Sequence, residues 1–228
     1  MNTALIHLLH LSDPSLPIGS FSHSAGLETY VQQQIVKDKT SAATFITEML
    51  SRNLFYTDAA FVSLVMDAVV YKNLEKILAL DEECTAVKLP MEMRQASRKL
   101  GQRMLKLFEP LMTDAFVTSF STKAITNKTA ANYPVVFGML AATMGIKKKE
   151  ALCGFFYNAA AGFVTNCVKL IPLGQQDGQE ILYNLVGTIE DLASRSLDPD
   201  PELLGLCCTG FDIKSMQHEQ LYSRLYMS

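Results

Sequence analysis

The residue types able to do chemistry gather in one short stretch, Gly19-Ser20-Phe21-Ser22-His23-Ser24-Ala25-Gly26. Glycines and hydroxyls at a helix start suit a phosphate, because free backbone N–H groups point at the anion there. This stretch has no lysine, lacks the GxxxxGK[ST] spacing of a P-loop, and follows no strand pattern. A GxSxG nucleophile elbow also needs a strand before its turn. Ser22 or Ser24 as nucleophile with His23 as base gives a helical serine hydrolase as one reading. Neighbours so close along a helix do not face each other well. Helix capping with close packing, and a surface that meets a partner, are the other readings of the same residues.

Metal-ligating types are sparse. His7 and His10 stand three apart and can share a helix face, but only His23 and His218 remain as further histidines. They read as polar-face histidines, because a site with three or four ligands is not assembled. Of five cysteines, Cys207 and Cys208 are adjacent, too tight to offer both thiolates to one metal, and read as a packed pair. Cys84, Cys153 and Cys167 complete an odd count without a CxxC spacing, which is no disulfide framework and implies a reducing, cytoplasmic setting. Asp81-Glu82-Glu83 reads as an exposed run at a helix end. Arg94, Arg98, Lys99, Arg103 and Lys106 form a basic helix face, either solvated or docking an acidic partner. A net charge of −3 gives no electrostatic reason to expect nucleic acid or an anionic membrane. The residues alone describe a catalytically silent chain without metal or cofactor.

Helices must position these side chains. In Ala151–Ile171, 15 of 21 residues are apolar and they do not keep to one face. A helix hydrophobic all round must be surrounded by protein or lipid. Its length fits a membrane span. Asn158, Asn166 and Lys169 inside it, the lack of a second such run, and the lack of a basic signal segment favour a central buried helix. Around it, helical spacing and caps predict Asn2–Leu11, a helix to Gln33 capped by Ser20 or Ser22, and one through Leu54 capped by Thr40 or Ser41. They further predict Asp58–Tyr71, a helix opened by Asn73, and Met91–Phe108. Helices over Leu111–Ile125 and Pro134–Met144, and one long helix from Gln175 or Gln179 to Ser196, follow. The expectation is an all-α, single-domain irregular bundle of nine or ten helices over residues 1–228. The polar tail, residues 212–228, has thin core content and is expected to order against a partner. Eleven methionines and no tryptophan suit adaptable contact surfaces.

Five segments together carry a resemblance. LSDPSLPIGSFSHSAGLETY ending at Tyr30, RQASRKLGQRML (Arg94–Leu105), NYPVVFGMLAATMGI (Asn132–Ile146), VKLIPLGQQDGQ (Val168–Gln179) and HEQLYSRLYMS (His218–Ser228) occur in order. This set resembles the UreF-type urease accessory proteins. The resemblance implies an all-helical, non-catalytic cytoplasmic chaperone that dimerises. It implies partners: a UreD/UreH-type accessory protein, a UreG-type GTPase and the urease apoprotein, with nickel and GTP handled by the partners. Modulation of GTP hydrolysis is part of the same implication. Matching positions are Ser22, His23, Gly26 and Glu28 in the first segment, Lys169, Pro172 and Gly174 in the fourth, and Glu219, Tyr222 and Arg224 in the tail. All ten are expected as partner contacts, with Glu28 a conceivable partner for Lys169 or Arg224. The chain departs from the family in ending Arg224-Leu-Tyr-Met-Ser228, where a basic residue is usual near the end.

Overall fold

The computed structural model describes residues 3–20, 23–206, 208–222 and 224–226. Among the described residues the chain forms twelve α-helices and no strand. They are α1 (Thr3–Leu11), α2 (Leu27–Gln32), α3 (Lys39–Glu48), α4 (Asp58–Val70), α5 (Leu74–Val87) and α6 (Met91–Phe108). Then come α7 (Ala115–Ile125), α8 (Tyr133–Thr143), α9 (Lys148–Leu170), α10 (Gln175–Asn184), α11 (Val186–Arg195) and α12 (Thr209–His218). The fold is an all-α, single-domain bundle, with more helices than expected. The long Gln175–Ser196 helix is two, broken at Leu185, whose amide is shared among the carbonyls of Ile181, Leu182 and Tyr183. The tail contributes α12.

Helix α9 contacts α1, α2, α3, α4, α8, α10 and α11, so it is central. By length and composition it could cross a membrane, but its apolar side is covered by these helices. Its composition predicts enclosure on all sides, and the structure does not bear that out. Leu152, Phe155, Phe156, Ala160, Phe163 and Cys167 are buried, while Tyr157, Gly162, Thr165 and Lys169 are exposed. The exposed positions fall on one side of the helix, so a single stripe along it faces solvent. The enclosed helix is α8, buried at every position from Pro134 to Ala141. Two glycines let backbones close on it. A Cβ on Gly138 would stand 2.8 Å from the Val62 carbonyl oxygen, and one on Gly101 only 2.0 Å from that of Ala131.

Caps fall close to their expected positions but on other residues. Asp38, not Thr40 or Ser41, caps α3, and Ser41 answers it in a capping box. The helix then continues through a π-helical turn, Met49–Leu54. Gly26, with φ 79°, begins α2 in place of Ser20 or Ser22; Ser22 lies outside the described residues. Asn73 caps α5 as expected, accepting from the Lys76 amide.

The acidic run of α5 is not an exposed end. Asp81 is fully buried, and its carboxylate accepts from the backbone N–H groups of Ala131 and Asn132 at 2.9 and 2.7 Å. It therefore clamps the turn that feeds α8, while Glu82 and Glu83 stay exposed. Asp58, the first residue of α4, is buried and pairs with Lys88 at 2.7 Å. Burial alone would pull the Lys88 ammonium down, but the Asp58 charge and hydrogen bond hold it above its ordinary range.

Candidate functional site

The bundle brings charged groups of α2, α6, α12 and the tail together. His218, the last residue of α12, is fully buried. Its Nδ1 lies 2.7 Å from Oε2 of Glu92 on α6, and its Nε2 lies 3.1 Å from Oε2 of Glu28 on α2. A neutral imidazole has one donor nitrogen and one acceptor, and a carboxylate only accepts. The imidazolium alone satisfies both contacts. The tail closes over this cluster. Glu28 Oε1 accepts from the Leu225 N–H at 2.7 Å, and Oε2 from the Tyr226 N–H at 3.2 Å. Arg224 Nη1 donates to Glu92 Oε1 at 2.8 Å. Two carboxylates, an imidazolium and a guanidinium balance to zero formal charge. The Tyr226 ring is buried, and that burial raises its phenol.

Gly26 explains why α2 and α12 meet. Its left-handed φ favours glycine, and a Cβ there would stand 2.7 Å from Ser215 Oγ on α12. Glu28, two residues on, then reaches His218. The conceivable pairing of Glu28 with Lys169 or Arg224 is not what forms. Arg224 goes to Glu92, and Lys169 is exposed. Glu92 and His218 were missed as site residues. His218 opens the matched tail segment, which was a usable signal. Glu92 looks like an ordinary first-turn acid, and nothing local distinguishes it.

The remaining expected positions divide. The His23 carbonyl accepts from Asn166 Nδ2 at 2.9 Å, tying the first segment to α9. Lys169, Pro172 and Gly174 form an exposed corner between α9 and α10. That corner is braced by the Asp177 carboxylate, which accepts from the Gly174 N–H at 3.1 Å and pairs with Lys39 of α3 at 3.1 Å. Glu219 is half-buried at the end of α12, and Tyr222 is fully exposed.

The basic face of α6 is largely occupied. Arg94 donates to the carbonyls of Lys88 and Leu89, Arg98 to Asn127 Oδ1, and Arg103 to the Ile18 carbonyl. These arginines staple loops while Arg98, Lys99, Arg103 and Lys106 remain exposed to solvent.

The geometry does not favour a serine nucleophile. Ser24 is fully buried, and burial, with the nearby charges of Lys99 and Arg103, lowers the His23 imidazole below its ordinary range. His23 does line a half-open cavity of about 220 Å³ with Met49, Lys88, Tyr133 and Phe163, whose walls are mostly apolar. Among the described residues no three His, Cys, Asp or Glu side chains are arranged to hold a metal ion. His10 instead packs its ring 5.0 Å from that of Phe108. Cys84 and Cys167 are buried free thiols, and burial pushes Cys167 up to about 12. Cys208 is a half-buried free thiol, and Cys207 lies outside the described residues.

Comparison with known proteins gives a consistent result. The family model of UreF matches residues 36–186. The urease accessory protein UreF of Haemophilus influenzae (strain KW20 / Rd) is 45% identical over 226 residues, covering 99% of this chain and 96% of that protein. That of Actinobacillus pleuropneumoniae is 46% identical over 221 residues, 97% of each chain. A more distant UreF, from Bacillus sp. (strain TB-90), is 31% identical over 224 residues, 98% of this chain and 99% of that one.

Proposed function

The chain belongs to the UreF family of urease accessory proteins, and from that premise we propose that it is a scaffold of urease maturation. It is an accessory protein, not an enzyme. In this reading it joins a UreD/UreH-type protein, and the pair recruits a UreG-type GTPase that delivers nickel to apo-urease. Nickel and GTP are handled by those partners, and the working form is a cytoplasmic homodimer. The chain also modulates GTP hydrolysis by the recruited enzyme.

The observation that carries this reading is the collinear match over nearly the whole chain, at 45% identity. The distribution of the matched residues supports it. The corner at Lys169, Pro172 and Gly174, and the ring of Tyr222, are exposed and available to partners. His23, Gly26, Glu28 and Arg224 are engaged within the chain and shape the surface from behind. Glu219 borders both groups, and Ser22 is retained as a contact by its place in the motif.

The test is reconstitution from purified components. The chain should co-elute with the UreD/UreH-type protein, and the GTPase should join that pair but not the partner alone. Failure to associate at any ionic strength contradicts the proposal.

A further inference from the structure

We propose that the cavity between α6, α9 and the π-helical turn is a binding site for a small uncharged aromatic molecule carrying an amide-type edge. The π-helical turn hydrogen-bonds from the Phe55 N–H to the Leu50 carbonyl, five residues back. That wider turn brings Met49, Asn53 and Leu54 to one wall of the cavity. Asn53 is only 9% exposed, and among the described residues its carboxamide has no hydrogen-bond partner. A buried amide left unpaired is unfavourable, and a ligand that pairs with it offsets that cost. The carboxamide offers a donor and an acceptor side by side, which is the complement of another amide.

The rest of the cavity selects charge and size. Lys88 and Asp58 reach it, but they pair with each other at 2.7 Å, so no net charge remains there for an ion. Asn158 and Asn166 of α9 donate through Nδ2 to the carbonyls of Ser12 and His23, which fixes both side chains. Tyr133 of α8 stacks on Phe155 with ring centres 5.7 Å apart. Burial raises its phenol, so it stays a hydroxyl donor. Met49, Met93, Phe155 and Phe163 supply the apolar wall, and thioethers meet aromatic rings favourably. An apolar cavity of about 150 Å³ holds benzene. The 220 Å³ here therefore suits a molecule of about ten non-hydrogen atoms.

The test uses the full chain without partners, so its outcome is separate from the scaffold reading. With methyl-labelled methionine, NMR would follow Met49 and Met93 during titration with benzamide, acetanilide and 2-pyridone. Benzoate, shaped like benzamide but charged, is the control. At least one amide probe should shift both methyls saturably, with a dissociation constant of about 1 mM or below, and benzoate should not. Asn53→Leu should weaken that binding about tenfold, through loss of the amide contact. Gly162 lines the cavity, and a Cβ there meets nothing within 4 Å. Gly162→Leu should therefore plug the cavity and abolish binding without lowering the melting temperature. Three results would each overturn the proposal: no amide probe that shifts both methyls, benzoate binding as tightly as the amides, or either folded variant binding as the wild type does.

Discussion

The tail cluster and the α9–α10 corner were matched by the same family signature, yet they differ in what surrounds them. Glu28 and His218 are buried and complete each other's hydrogen bonds. Lys169, Pro172 and Gly174 stand in solvent and are held only from behind, by Asp177 and Lys39. A signature therefore mixes residues that build a surface with residues that present it. Burial separates the two, and the separation dictates how substitutions should behave. Changes in the cluster should move stability first, and changes at the corner should move association alone.

The largest effect is expected from Glu28→Ala. It leaves His218 facing one carboxylate instead of two and strips the tail amides of their acceptor. Loss of one partner from a buried charged pair costs about 3–5 kcal/mol, readable as a shift in the chemical denaturation midpoint. Gly26→Ala comes next, at about 2 kcal/mol, because a Cβ strains the left-handed backbone and meets Ser215. Arg224→Ala should cost about 1 kcal/mol, because that half-exposed side chain is partly screened by solvent. Its main sign would be faster amide exchange at Leu225 and Tyr226. If Glu28→Ala leaves stability unchanged, the cluster is not the structural half of the comparison.

A fourth prediction concerns the pH dependence set by His23. Burial depresses the His23 imidazole, so above about pH 6.5 both folded and unfolded chains carry it neutral. Below that pH the unfolded chain takes up the proton first, and the stability held by neutral His23 is lost as pH falls. Denaturation midpoints should drop on acidification and drop less in His23→Gln. The smallest effect on stability, within about 0.5 kcal/mol, is expected for Lys169→Glu at the open corner. Only partner association should fall there.

The local part of this architecture was legible from the chain itself. Spacing of Met93, Ala96, Leu100 and Met104 marks α6, and Pro134 with Gly145 brackets α8, because periodicity and punctuation are short-range properties. What was not legible depends on contacts across the chain. Asp81 looked like part of an exposed acidic run because the amides it clamps lie 50 and 51 residues away. His218 and Glu92 are separated by 126 residues, and His218 and Glu28 by 190, so no window contains the cluster. The basic face of α6 is solvated as expected, but the loop contacts of its arginines were not legible for the same reason, since Arg103 finds its acceptor 85 residues back. The apolar run of α9 was read as enclosed from composition alone. Composition does not reveal that one side of the helix has no neighbour and leaves Tyr157, Gly162 and Thr165 uncovered.

The central claim is that this chain assembles partners for urease maturation through its exposed corner while its buried cluster keeps it folded. Size-exclusion analysis of the chain with a UreD/UreH-type protein and a UreG-type GTPase, as wild type and as Lys169→Glu, tests it most directly. The account predicts a three-component complex for the wild type, and a Lys169→Glu protein with unchanged melting that loses a component. A wild-type chain that elutes alone, or a Lys169→Glu protein that assembles as fully as the wild type, would contradict it.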